Sequence, residues 1–163
     1  MTRELVRNLI ELLNVRSDTN EGKKALFELV RSKLEELGLS VVVGGAHDSP
    51  AMLASNGSGG IAFAAHLDTV PAGDDWTKED GEVEAGRVYG LGAADMKGGM
   101  AAMMAAARVL REEEVPFTLL ITTDEEELMT GAEFLAKRPE VRRASGILVG
   151  EPTDLRVAWK EKG

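Results

Sequence analysis

The chain has 163 residues, 44% of them apolar, which is enough for one domain with a sizeable core. Its formal charge of -9, with no basic cluster, argues against nucleic acid and against an anionic membrane surface as partners. There is no Cys for a disulfide framework. The first residues carry Arg3, Glu4, Arg7 and Glu11 where a signal peptide would be apolar, and no window of about 18 apolar residues offers a membrane span, so a cytoplasmic protein is expected.

Residues 3–14 set Leu5, Leu9, Leu12 and Leu13 along one face and predict an amphipathic helix. A second is expected over 21–37, with Leu26, Val30 and Leu34 inward and Gly38 ending it. Strands are expected at 39–43, 51–55 and 61–66, and Asn56-Gly57-Ser58-Gly59 between the last two reads as a hairpin loop. Residues 72–86 read as an exposed loop over the site with Trp76 as its lone anchor, and 87–90 as a short strand. The segment 97–110 is apolar nearly all round, so it reads as a helix buried on most sides, with Met100, Met103 and Met104 as core filler. Residues 117–122 read as a buried strand. Thr130-Gly131-Ala132-Glu133 has the spacing of a capping box and should open a short helix that Pro139 stops. A buried strand at 146–150 follows. A half-exposed strand over 155–160, where Leu155, Val157 and Trp159 alternate with their neighbours, completes the pattern.

The stretch His66-Leu67-Asp68-Thr69-Val70-Pro71-Ala72-Gly73 follows the apolar run 61–65. His66 and Asp68 therefore fall at the C-terminal end of a buried strand, the edge where open α/β sheets bind ligands. Residues two apart on a strand share a face, so Asp68 is in reach of the second ring nitrogen of His66. Three acidic sites come later. Asp95 lies among small residues between Gly90 and Gly99, Asp124-Glu125-Glu126-Glu127 directly follows 119–122, and Glu151 directly follows 147–150. The segment around Asp95 is no dinucleotide fingerprint, because the acid occupies the third glycine position, and it lacks the Gly-Lys-Ser/Thr of a phosphate loop. Each acidic site taken singly would be a solvated turn. One imidazole and several carboxylates at successive strand ends, in a chain without Cys, form a donor set for a hard or borderline divalent cation.

Together HLDTVPAG, YGLGAADMKGGMAA, TTDEEE and GEPT, in that order, resemble the zinc aminoacylase and carboxypeptidase family over nearly the whole chain. That family includes acetylornithine deacetylase and succinyl-diaminopimelate desuccinylase. The resemblance implies an α/β fold, a three-layer mixed sheet with helices on both faces, of the di-zinc hydrolase type. It implies that His66, Asp95 and Glu151 ligate one zinc and that Asp95 bridges to a second, held also by Glu126. Glu125 would be the general base, and Asp68 would orient His66. A cis peptide between Asp95 and Met96 is implied as well. The implied reaction is hydrolysis of the amide bond of an N-acyl amino acid or small peptide. The implied cofactor is Zn2+, two per complete site, though Co2+ or Mn2+ also suits these donors.

Members of that family are more than twice this long and are homodimeric when complete. Residues 1–163 are therefore expected to be the N-terminal portion of a catalytic domain. A lid or dimerisation domain, the rest of the catalytic domain and a late His for the second zinc would be absent. His47 sits in a polar loop that does not match that ligand and reads as a surface residue. On this expectation the chain alone binds one zinc tightly and is inactive. The alternative from another class is a non-catalytic metal-binding fragment or interaction module on the same scaffold. Among enzymes, the alternative is an aminopeptidase of the related di-zinc fold. No H-E-x-x-H and no G-x-S-x-G occurs, which sets aside a thermolysin-like peptidase and a serine hydrolase.

Overall fold

The computed structural model describes residues 2–158, and its first two elements follow the leucine spacing. Helix α1 (Thr2–Leu13) buries Leu9, Leu12 and Leu13, and α2 (Asn20–Glu36) buries Leu26, Phe27, Val30 and Leu34. The Thr19 hydroxyl caps α2 by accepting from the Gly22 amide at 3.1 Å, which satisfies one of the free donors of the first turn.

Strands β1 (Ser40–Gly45) and β2 (Pro50–Asn56) form an antiparallel hairpin, but β3 (Ile61–His66) does not continue it. After β3 come a small hairpin of β4 (Val83–Glu84) and β5 (Arg87–Val88), then α3 (Gly98–Glu112), β6 (Phe117–Thr122), α4 (Thr130–Ala136), α5 (Pro139–Arg142) and β7 (Gly146–Val149). The main sheet runs β1-β2-β6-β3-β7. Strand β6 is antiparallel to β2 and parallel to β3, and β7 is parallel to β3. The expected hairpin across 56–59 is thereby corrected. The loop reverses the chain but steps over a whole strand, a gap of roughly 10 Å. All six residues of β6 are buried, so this apolar run is better satisfied between two strands than at an edge. The loop is shaped to admit it. Asn56 Nδ2 donates to Val115 O at 2.9 Å, and Gly60, at φ 75°, lies so close to the chain that a Cβ there would stand 1.9 Å from Pro116 O.

Alternation along the strands divides the core between the two faces. Met52, Ala54, Phe117, Leu119 and Ile121 pack with the leucines of α1 and α2 and the methionines of α3. Ala51, Leu53, Ala62 and Leu120 pack on the other face with Leu135 of α4. This is the expected three-layer α/β arrangement, a mixed sheet with helices on both faces. No helix among the described residues is long and apolar enough to cross a membrane.

Other local expectations are corrected. The small hairpin puts a strand, β4, inside the stretch 72–86 that reads as loop. Thr130 does not cap α4. Asp124 does so from six residues upstream, its carboxylate accepting from Thr130 N at 2.7 Å, Thr130 Oγ1 at 2.5 Å and Gly131 N at 3.1 Å. A charged acceptor binds the free amides more strongly than a hydroxyl does. Pro139 does not stop α4, which ends at Ala136; it opens α5, where a residue without N–H fits the first helical position. Strand β7 is exposed rather than buried. Ile147, Leu148 and Val149 are 53%, 48% and 56% accessible, because β3 is its one strand neighbour among the described residues. Leu155 and Val157 are exposed and outside any strand, and Trp159 lies outside the described residues.

The geometry of the 56–60 loop has a measurable consequence. Gly60→Ala should lower the unfolding free energy by about 3–4 kcal/mol, through a strained φ and a backbone clash together. At Gly57 a Cβ would meet Pro116 Cβ at an ordinary 3.7 Å. Gly57→Ala should therefore cost only the strain of positive φ, about 1 kcal/mol. Urea unfolding of the two variants side by side checks the difference, and equal losses would count against the loop geometry.

Candidate metal centre

His66 ends β3 in register with Thr122, the last residue of β6. Two parallel strands that end level deliver their following turns to one place, so residues 123–127 begin beside His66. On the other flank β7 runs parallel to β3, and the Gly150 amide donates to Ala64 O at 3.1 Å, which carries Glu151 to the same edge. Asp95 arrives from a third direction, on the irregular turn Ala93–Lys97 that leads into α3. The Asp95–Met96 peptide is cis, as the resemblance implies. Met96 Sδ accepts from His66 N at 3.2 Å and fastens this turn to the end of β3. Gly99 permits the close approach of α3, since a Cβ there would stand 2.3 Å from Gly150 O.

The His66 imidazole is 2% exposed and engaged at both nitrogens. Its Nδ1 lies 2.9 Å from Asp68 O and 3.4 Å from Asp68 Oδ1, so the backbone carbonyl is the nearer partner. A carbonyl can only accept, which puts the proton of the neutral ring on Nδ1 and leaves the Nε2 lone pair free. Nε2 points at Asp95 Oδ1, 3.0 Å away, and Glu151 Oε1, 3.8 Å away. Asp68 is also buried. Its Oδ2 accepts from Glu126 N at 2.9 Å, while Oδ1 is buried without a hydrogen-bond partner. Asp68 thus joins the imidazole to the backbone that carries Glu125 and Glu126.

The donor atoms of His66, Asp95 and Glu151 lie within 4.8 Å of one another, and so do those of His66, Glu125 and Glu126. All six residues singled out in the sequence therefore meet at one sheet edge. The residue common to the two groups is His66, not Asp95.

Burial opposes charge on the imidazole, yet Asp68, Asp95 and Glu151 outweigh it and raise the His66 pKa to about 9. Burial, then the Asp95 carboxylate, pushes Glu126 above the usual range. Glu151 is raised too, by burial first, with Asp95 and Glu125 working against His66. Asp68 moves the other way: burial pushes it up, but His66 and the amides of Glu126 and Glu125 hold it low. Acids crowded enough to resist ionisation, around a fixed imidazole lone pair and an orphaned carboxylate oxygen, mark a place short of positive charge. A divalent cation fits that donor set in ligand type and number.

The turn is braced by contacts the motifs do not reveal. Thr123 Oγ1 donates to Pro50 O at 2.7 Å, Asp124 is fully buried in its cap, and the buried Lys23 of α2 donates to Glu127 Oε1 at 2.8 Å. Lys97 is also fully buried; its Nζ donates to Val15 O at 3.0 Å, and burial lowers its pKa to about 8 against Asp80 and Asp18. No signal in the sequence marks the Met96 sulfur or the reach of Lys23. Asp124 was visible only as the first acid of a run. His47 is an exposed residue beside Asp48, as expected. Two cavities open on the cluster. One of about 590 Å3 is lined by Asp95, Glu126, Trp76, Arg87 and Val70 among others, so the 72–86 stretch does border the site. The other, about 270 Å3, lies on the α4 side against His66, Glu125 and Glu151.

The family model for peptidase family M20/M25/M40 matches residues 62–160, a span that contains every residue of the cluster. An acetylornithine deacetylase of Proteus mirabilis is 34% identical over 174 residues, covering 98% of this chain and 44% of that protein. A probable succinyl-diaminopimelate desuccinylase of Staphylococcus epidermidis is 31% identical over 172 residues, covering 99% and 42%. The crystal structure of human carnosine dipeptidase 1 aligns with a TM-score of 0.79 at 25% identity, over 90% of this chain and 38% of that one. The chain spans less than half the length of these relatives. The family match, covering more than half of the sequence and the whole donor cluster, shows that the chain belongs to peptidase family M20/M25/M40.

Proposed function

We propose that this chain carries the metal centre of a hydrolase that cleaves the amide bond of an N-acyl amino acid or small peptide. The observation that carries the reading is the convergence of His66 Nε2, Asp95 and Glu151 at one sheet edge with Glu125 and Glu126 against the same imidazole. His66, Asp95 and Glu151 would hold one zinc, and Asp95 with Glu126 a second; cobalt or manganese suits the same donors. When bound, the metal polarises the amide carbonyl and lowers the pKa of the attacking water. Asp68 keeps the imidazole turned so that Nε2 faces the cluster, and its Oδ2 steadies the Glu126 amide. Glu125, on that same turn, takes the proton from the water and returns it to the departing nitrogen.

The relatives' names, deacetylase, desuccinylase and dipeptidase, support amide hydrolysis and differ in what is cleaved. In this reading residues 1–163 are the N-terminal portion of the catalytic domain of a longer, homodimeric, cytoplasmic enzyme. The exposed β7 edge supports a sheet that further chain extends. The chain by itself then binds one zinc and does not turn over.

A metal at Nε2 competes with a proton. The His66 pKa is raised from 6.5 to about 9, so the metal-free centre holds that proton through neutral pH. Apparent zinc affinity should therefore climb about tenfold per pH unit and level off above the imidazole pKa. The same shift gives the metal-free fold a stabilisation that is complete below pH 6.5 and lost as pH rises through about 9. Calorimetric zinc titrations and thermal unfolding of the metal-free protein across that range check both. An affinity indifferent to pH would remove His66 from the ligand set.

The two glutamates separate by substitution. Glu125→Gln should keep its metal and lose about 10²–10⁴-fold in turnover. Glu126→Gln and Asp95→Ala should lower metal content. Elemental analysis of the variants, with assays of the active enzyme on acetylornithine and succinyl-diaminopimelate, provides the measurement. Metal lost from Glu125→Gln and kept by Glu126→Gln would reverse the roles.

A further inference from the structure

Three glutamates stand in a row at 125–127, so residue type alone does not decide which of them face the imidazole. Glu125 and Glu126 bring carboxylate oxygens within 4.8 Å of a His66 ring nitrogen, whereas Glu127 belongs to neither donor group. Glu127 is engaged elsewhere. Lys23 Nζ donates to its Oε1 at 2.8 Å, the sole ion pair or side-chain hydrogen bond that Lys23 makes among the described residues.

Lys23 occupies a place that local rules disfavour for a cation. It lies near the start of α2, the positive end of the helix dipole, and its side chain is 4% accessible. A buried ammonium without a partner is costly, so the lysine depends on its carboxylate. The dependence is one-sided, because Glu127 is 57% accessible and water can satisfy it. The adjacent residue is fastened to a different element: Glu126 N donates to Asp68 Oδ2 at 2.9 Å, just past the end of β3. Consecutive residues are thus tied to α2 and to the segment that follows His66. The Asp124 carboxylate acts further along, on Thr130 and Gly131.

We propose that Lys23 is a positioning residue: by holding Glu127 to α2 it fixes Glu125 and Glu126 as the two of three consecutive glutamates presented to His66 and the metal. The proposal rests on the hydrolase reading of this centre. Lys23 acts through Glu127 alone, so its charge and its reach both matter. Arginine supplies both in part and methionine supplies neither.

The test compares Lys23→Met and Lys23→Arg with the parent. Methionine fills a similar buried volume and leaves Glu127 to water, so urea unfolding of Lys23→Met should match the parent. In the metal-free chain the Glu126 and Glu127 amides should exchange hydrogen about tenfold faster in Lys23→Met. The Thr130 and Gly131 amides, held by Asp124, should keep their rates. Lys23→Arg should restore part of the protection, and Lys23→Met/Glu127→Gln should exchange like Lys23→Met alone. In the active enzyme assayed on acetylornithine, Lys23→Met should lower kcat and leave KM unchanged, because the displaced groups serve the chemical step. Calorimetric zinc titration of the parent chain separates the two readings. If it binds no zinc, the hydrolase reading and the proposal fall together. If zinc binds but all four amides change alike, or none changes, the role of Lys23 alone is overturned. A raised KM with kcat intact overturns it too.

Discussion

His66 and Thr122 end two parallel strands level with each other, and the meeting of the imidazole with the turn that bears Glu125 and Glu126 depends on that register pair. Had β3 paired directly with β2, only one flank of β3 would remain for β6 and β7, and the donors following the displaced strand would leave the sheet about 5 Å or more further from the imidazole. Insertion of β6 rests on features remote from the chemistry. One is the burial of all six of its residues, and the other is the bare backbone of Gly60 against Pro116. Apolar packing thus sets the spacing of the polar groups.

Within the centre, neighbouring acids are driven in opposite directions by what each faces. Asp68 faces backbone amides and an imidazole nitrogen, which favour its charged form. Glu126 and Glu151 are partly desolvated and face other carboxylates, which disfavour theirs. In the metal-free molecule the proton on His66 supplies the missing positive charge. A rise from 6.5 to about 9 corresponds to roughly 3 kcal/mol of preference for the charged ring. The same imbalance is what a divalent cation would relieve, so the affinity for a proton and the suitability for a metal share one cause.

The buried polar residues around the edge act as struts. Asp124 gathers the first amides of α4, Thr123 ties its turn to β2, and Lys23 joins that turn to α2 through Glu127. Buried charged groups are tolerable only when paired, so these contacts restrict the turn to one arrangement. Donors on a turn held from several sides keep their spacing without a ligand to impose it, which is what a preorganised site requires.

Much of this was legible in the chain. Leucine spacing marked α1 and α2, the runs 61–65 and 117–122 marked buried strands, and the acids at strand ends marked the donors. These signals are local, set by residue type and period. Other features were ambiguous because one local pattern serves two tertiary outcomes. Asn56-Gly57-Ser58-Gly59 suits a tight hairpin or a wide step over a strand, and only the arrival of β6 decided between them. Thr130 and Glu133 have the spacing of a capping box, but the Asp124 carboxylate is the stronger acceptor and reached the amides instead. The apolar run of β7 fits a covered strand or an edge. Composition and period determined which residues could be helix, strand or ligand. Tertiary structure alone decided their neighbours, because strand order, register and contacts such as Lys23 with Glu127 join segments a hundred residues apart, and no short-range preference encodes them.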